Sequence, residues 1–391
     1  MNRWIASLVI AGLLLTAGAA AAPARERVLI STDLATGIAG GWRAGVSDPD
    51  DGFAVAMAET SRRFEILGVI VTFGNDYREP QLAAARLLLH GLMKTRIPVL
   101  AGAAVPLFDP PAQWTAGPDA GKGMPEPCLN EGVEFMIDQL RKSPEKVTIL
   151  ALGPLTDVAC VVLRRPELAA KIKSVVAIMG RKPGEDFFIG GVKGLTDFNM
   201  RRDSRAAQVL LAGSQVPFAF IGFSATKQGL ITSQAVERRF GADRSSLSQF
   251  FLRAARAWIV QWRDTWKFKE DGFHPWDQNA VYYSMKPAAY VCDQRGFALI
   301  DCTPKPGEKR NACAGHAPGQ PLDSQGERRQ LWLGPYPTRK VTYCYDYAGA
   351  QALEDFVAAS LAVIPTASPT ARALLSYPAA GTALPSPVPL R

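Results

Sequence analysis

Four aspartates crowd one short stretch near the N-terminus: Asp33, Asp48, Asp50 and Asp51. An apolar run, Val28, Leu29 and Ile30, delivers Asp33 at its end. A glycine-rich excursion follows (Gly37, Gly40, Gly41, Gly45), then Asp48, Asp50 and Asp51, then apolar residues at helical spacing, Phe53, Ala54, Met57 and Ala58. This reads as strand, loop and helix. In an open α/β sheet, the junction where a strand stops and a helix starts is the ligand-binding edge. Carboxylates this close repel one another. A helix N-terminus favours each by only ~0.3–1 kcal/mol, too little to keep three or four ionised in a cleft. A hard divalent cation does so, and Ca²⁺ takes about 6–8 oxygen ligands. The competing reading makes Asp48 an N-cap and leaves Asp50 and Asp51 as solvated first-turn residues.

The elements that must position these groups alternate along the chain. EILGVIVTFGN (Glu65 to Asn75) is a near-continuous apolar run, suited to a strand buried on both faces of a parallel sheet. Further strands are expected at Ile97 to Ala101, Val147 to Leu152, Lys173 to Gly180, Val216 to Ile221 and Val341 to Tyr347. Helices are expected at Pro80 to Met93, Glu131 to Lys142, Val158 to Arg165, Ser204 to Ala212, Gln249 to Trp262 and Ala348 to Ala362. The pattern predicts an α/β fold: one domain with a mixed, mostly parallel sheet flanked by helices around an open Rossmann-like core. Residues 105–128, broken by Pro106, Pro110, Pro111, Pro118, Gly121 and Gly123, form a candidate lid. Residues 293–340 read as a polar insert. From about residue 364 the chain is Pro, Ala and Ser without periodicity, which predicts a disordered tail.

Composition bounds the rest. With 391 residues, 48% of them hydrophobic, the chain can bury a large core. The net charge of +8 is not gathered into a block and carries no basic-aromatic ladder, which argues against nucleic-acid partners. Arg3, the apolar run Trp4 to Leu15 and the following small-residue tract read as a secretory signal peptide over residues 1–22, and therefore as export to a periplasmic or extracellular space. No later segment is long and apolar enough to span a membrane. Export favours disulfides among Cys128, Cys160, Cys292, Cys302, Cys313 and Cys344. Cys292 with Cys344 and Cys302 with Cys313 is the nested expectation. Cys160, in an apolar helical pattern, reads as a buried inert thiol.

Six stretches resemble the nucleoside hydrolase family, the inosine–uridine-preferring N-ribohydrolases, in family order: Asp33 with Asp50–Asp51, GVIVTFGN (Gly68 to Asn75), ILALGPLTD (Ile149 to Asp157), VVAIMG (Val175 to Gly180), DFNMRRDSRAAQVLL (Asp197 to Leu211) and WDQNAVYY (Trp276 to Tyr283). The resemblance implies Ca²⁺-dependent hydrolysis of the N-glycosidic bond of ribonucleosides, giving ribose and free base. Carried over, Asp33, Asp51 and Asp277 would ligate Ca²⁺ by carboxylates and Leu152 by its backbone carbonyl. Asp33 would also take the proton of the attacking water, and Asp50 would accept from the 2′-hydroxyl. Asn199 and Asp197 would hold the ribose hydroxyls, with Asn75 near the 3′-hydroxyl or base. Positive charge builds on the sugar as such a bond breaks, and carboxylates around the ring stabilise it.

The chain departs from the family pattern in four places. Leu34 to Pro49 intervene between the first Asp and the Asp pair, Ser31 stands where another Asp is frequent, Asp197 replaces a Glu, and Trp276 takes a position where many members have His. Trp276 before Asp277 resembles the purine-preferring members, where an indole stacks on the base. This makes purine nucleosides the expected substrates and Trp276 a catalytic candidate, with Trp114 for the base's opposite face; core packing for Trp276 and loop anchoring for Trp114 are the competing readings. His274 is a second candidate acid. The family implies a homo-oligomer. A non-catalytic exported binding protein of the same fold, or a hydrolase of a different N-riboside, is the alternative.

Overall fold

The computed structural model describes residues 25–40, 45–107, 126–183, 185, 187–191, 197–301 and 329–364. Eleven strands occur among them. They are β1 (Glu26–Thr32), β2 (Phe64–Val71), β3 (Val99–Ala101), β4 (Val147–Ala151), β5 (Ile172–Ile178), β6 (Phe218–Ile221), β7 (Ile231–Thr232), β8 (Gly272–Phe273), β9 (Tyr290–Asp301), β10 (Arg329–Gly334) and β11 (Val341–Tyr347). Nine form one sheet in the order β10-β9-β11-β6-β5-β4-β1-β2-β3, and β7 pairs with β8 apart from it. From β3 to β11 every pairing is parallel; β9 runs antiparallel to β11 and β10 to β9.

The central strand shows why the sheet is buried on both faces. Val28 and Ile30 of β1 enter one apolar cluster and Leu29 the other, as alternating side chains must. Helices Asp50–Thr60, Ser246–Trp266, Gln278–Met285 and Ala350–Ser360 contribute to the first cluster. Helices Glu131–Lys142, Thr156–Arg164 and Ser204–Gly213 contribute to the second. β1 pairs with β2 on one side and β4 on the other, so successive connections leave it in opposite directions. A crevice opens at such a switch point, beyond the carboxyl ends of the strands. Asp33 stands directly after the end of β1 and Leu152 directly after the end of β4.

The fold corrects two expectations. The 293–340 region is not an insert throughout, because β9 and β10 make up its flanks and extend the sheet. Asp293, Gln294 and Arg295 gave β9 a polar character common to strands near a sheet edge, and this hid it. Cys160 is not a free thiol: it is bonded to Cys128, while Cys292 is bonded to Cys344 as expected. An apolar helical pattern fixes burial but carries no information on a partner from a distant loop. Residues 1–22, Trp114, Cys302, Cys313 and the tail from 365 onward lie outside the described residues. Among the described residues no helix is long and apolar enough to cross a membrane.

Candidate active site: a buried ring of carboxylates

The long connection after Asp33 bulges out and comes back. Its arms pair as a small antiparallel ladder, with Ala39 bridged to Val46, the Gly40 amide donating to the Gly45 carbonyl (2.8 Å) and the Ser47 amide to the Ile38 carbonyl (3.1 Å). Thr36 ties the start of this connection to its end: its Oγ1 donates to the Pro49 carbonyl and accepts from the Gly52 amide, both at 2.9 Å. The helix Asp50–Thr60 therefore begins beside β1. The Thr32 hydroxyl donates to Asp51 Oδ1. Asn75 Nδ2, from the segment after β2, donates to Asp51 Oδ2 (3.0 Å).

The fourth carboxylate arrives from far along the chain. Asn279 holds its turn, donating to the carbonyls of Pro275 (2.8 Å) and Trp276 (3.1 Å) and accepting from the hydroxyls of Tyr290 and Tyr347. The Asp277 amide so placed donates to Asp50 Oδ2 (3.3 Å). One carboxylate oxygen from each of Asp50, Asp51 and Asp277 lies within 4.8 Å of the others. Asp33, which the sequence put among the ligands in place of Asp50, lies beside this trio on the β1 side, where its charge acts on Asp51 and Asp277; the Asn75 amide donates to it, and its Oδ2 has no hydrogen-bond partner. Gly74 makes this approach possible, since a Cβ there would meet Asp33 Oδ2 at 2.1 Å.

Exposure decides between the two readings of this cluster. Asp33, Asp50, Asp51 and Asp277 are 1%, 3%, 0% and 4% exposed, so they are not solvated first-turn acids. Burial, then the charge of Asp50, pushes Asp51 up to about 8 against hydrogen bonds from Thr32 and Asn75. Burial, then the Asp51 charge, raises Asp33 well above the usual range, with the Arg202 guanidinium opposing. Asp50 is raised by burial and Asp48, and Asp277 by burial and then Asp50, Asp51 and Asp33. Oxygen donors of this kind, buried and mutually repelling, with one oxygen left without a partner, fit a hard divalent cation.

At the end of β4, Asn199 Nδ2 donates to the Leu152 carbonyl (2.7 Å). Asp197 caps the short helix Phe198–Arg202, accepting from the Met200 amide (3.2 Å) and from the Gly180 amide (2.6 Å). Burial nonetheless raises it to about 6. Its carboxylate is thus engaged by backbone, a capping role that spacing alone did not reveal. Trp276 is half-buried in an aromatic row, stacked on Phe223 (6.0 Å, 17°), which stacks on Phe187 (4.1 Å), with His274 on Trp276 at 5.0 Å. His274 is buried and lowered to about 4 by desolvation, with Glu270 Oε2 3.3 Å from its Nε2. Burial thus disfavours the charged imidazole that an acid at this position would need.

Sequence reasoning did not single out Thr32, Thr36, Phe223 or Asn279. Asn279 had a partial signal, since Gln278 and Asn279 are polar residues at the start of an otherwise apolar helix.

A profile of the inosine-uridine preferring nucleoside hydrolases matches residues 46–330, and the chain belongs to that family. The match begins after Asp33, which the structure returns to the site across the long connection. Probable uridine nucleosidase 1 of Oryza sativa subsp. japonica is 30% identical over 262 residues, 64% of this chain and 72% of that protein. The pyrimidine-specific ribonucleoside hydrolase RihA of Citrobacter koseri is 28% identical over 285 residues, 67% of this chain and 88% of that protein. Among solved structures, a purine-preferring ribonucleoside hydrolase from Gardnerella vaginalis superposes with a TM-score of 0.63 at 18% identity, covering 86% of this chain and 99% of that one. At that identity the likeness concerns the fold. The family is metal-dependent and its substrates are small-molecule nucleosides, so this chain is an N-riboside hydrolase.

Proposed function

We propose that this protein is a Ca²⁺-dependent nucleoside N-ribohydrolase that favours purine nucleosides. The observation that carries the reading is the convergence of Asp50, Asp51 and Asp277, with Asp33 beside them and coupled by charge to Asp51 and Asp277, all four buried at the sheet's switch point. Asp33, Asp51, Asp277 and the Leu152 carbonyl are the ligand set. A divalent cation held there would supply Lewis acidity that lowers the pKa of water. Asp33 takes the proton from the water that attacks the anomeric carbon. Asp50 accepts from the ribose 2′-hydroxyl, and Asn75, Asn199 and Asp197 hold the remaining sugar hydroxyls. Buried acceptors left unpaired by a missing hydroxyl would select ribose over deoxyribose.

The half-buried Trp276, backed by Phe223, supports a flat bicyclic leaving group, because stacking stabilises the base as it departs. Some curated relatives are named for pyrimidine nucleosides, so base preference is the sharpest test. Purified protein incubated with inosine, adenosine and uridine should release purine base faster, and a chelator should stop release. Faster release from uridine would overturn the purine preference, unchanged release under chelation would remove the metal, and binding without release would mark a non-catalytic binding protein. We further infer residues 1–22 as a cleaved leader, residues 23–363 as the domain, export to an oxidising compartment and assembly as a homo-oligomer. The two disulfides support the compartment.

A further inference from the structure

Two members of the ring, Asp33 and Asp50, are separated by residues 34–49, and such a connection must be held if its ends are to meet. An unfixed loop of this length raises the entropic cost of bringing its ends together, by roughly (3/2)RT ln n. One helix, Ser246–Trp266, touches the connection at two places, Gly37 and Val46, and the helix that follows the connection at a third, Phe53. The Phe250 ring lies under Gly37, where a Cβ would meet it at 2.8 Å. Gln261 Oε1 accepts from the Val46 amide (2.6 Å) and Gln261 Nε2 donates to the Val46 carbonyl (2.9 Å). Phe251 stands 4.5 Å from Phe53, three residues past Asp50. The side-chain amide of Gln261 thus copies a neighbouring strand, satisfying both polar groups of Val46. Gly45 lets it come close: a Cβ there would lie 2.0 Å from Gln261 Oε1, and φ is +103°.

We propose that Gln261 is a positioning residue that clamps the returning arm of this connection so that Asp50 and Asp51 arrive on Asp33 with the ring already formed. The proposal rests on the reading of that ring as a Ca²⁺ site. Gln261 lies outside the ring and acts through the backbone of Val46. The chemistry required is narrow. Glutamate keeps the acceptor for the Val46 amide and loses the donor to its carbonyl, asparagine is one methylene short, and methionine has the volume with neither bond.

The test is calorimetric titration of the full chain with Ca²⁺, alongside thermal melts in chelator and amide hydrogen exchange at Val46. Gln261→Met should weaken Ca²⁺ binding by ~10-fold, the scale of two lost hydrogen bonds of part-buried groups, with little change of melting temperature in chelator. Gln261→Glu should fall between it and the parent. Gly45→Ala, which breaks the clamp from the other side, should weaken binding similarly, and the two together should do no more than either alone. Parent-like affinity in both single variants, or additive losses, would overturn the clamp. Absence of Ca²⁺ binding by the parent would instead refute the metal reading. The clamp is then judged by Val46 exchange, which must accelerate in Gln261→Met and would contradict the proposal if it did not.

Discussion

Asp51→Asn separates stability from function, and the structure fixes the sign of each. The parent carboxyl is completely buried and raised to about 8. At pH 7 it lies ~3 pH units above the point where an unfolded aspartate releases its proton, so folding without a cation is opposed by up to ~4 kcal/mol at this residue. Asparagine removes that penalty. It keeps an oxygen for Thr32 but turns an amide toward Asn75, facing donor to donor, which costs ~1–3 kcal/mol. The repulsion outweighs the lost bond. In chelator the variant should therefore melt a few degrees above the parent, a net ~1–3 kcal/mol. With Ca²⁺ the order reverses: the parent gains stability by linkage, the variant gains little, and turnover is abolished. Differential scanning calorimetry with and without Ca²⁺, paired with a base-release assay, reads both. A variant that melts below the parent in chelator, or that keeps the parent's Ca²⁺-induced gain, would refute the reasoning.

Three further outcomes follow from the same geometry. The ring carboxyls have folded pKa values above their unfolded ones, so their contribution to stability is fully present below the unfolded values and is lost as pH rises from there to the folded values, about 8 for Asp51. His274, lowered to about 4, works oppositely but only below its unfolded value. Between roughly pH 6.5, above which His274 no longer opposes, and pH 8 the chelated protein should lose melting temperature and the gain from Ca²⁺ should widen; a flat profile in chelator over that range contradicts this. Cys128→Ser should cost ~3 kcal/mol in denaturant unfolding, because the bond to Cys160 spans a sequence separation of 32 residues; unchanged stability would mean the bond does not form. Trp276→Ala should lower the ratio of inosine to uridine turnover by roughly 10-fold, and an unchanged ratio would exclude the indole from base selection.

Much of the architecture was legible because parallel strands buried on both faces leave long apolar runs, and β1, β2, β4 and β5 all have them. The carboxylate ring was legible through its ends: Asp33 where a strand stops, Asp51 and Asp277 where helices start. What closes the ring was not. Thr32, Thr36 and Gln261 have no local pattern, since each acts on backbone or side chains that only the fold brings near. β9 was hidden because Asp293, Gln294 and Arg295 interrupt its apolar residues. Cys160 concealed its partner for the same reason that Asp197 concealed its cap: local sequence encodes burial and helix position, but not which distant atom completes the bond.

The central claim is that Asp33, Asp51 and Asp277, with the Leu152 carbonyl, hold one divalent cation. A diffraction map of crystals grown with Ca²⁺ and ribose tests it most directly. The account predicts a single density peak within ~2.3–2.6 Å of oxygens from all four residues, with the sugar's vicinal hydroxyls completing its shell. Density elsewhere, or Asp33 turned away from Asp51 and Asp277 with no cavity in common, would contradict it.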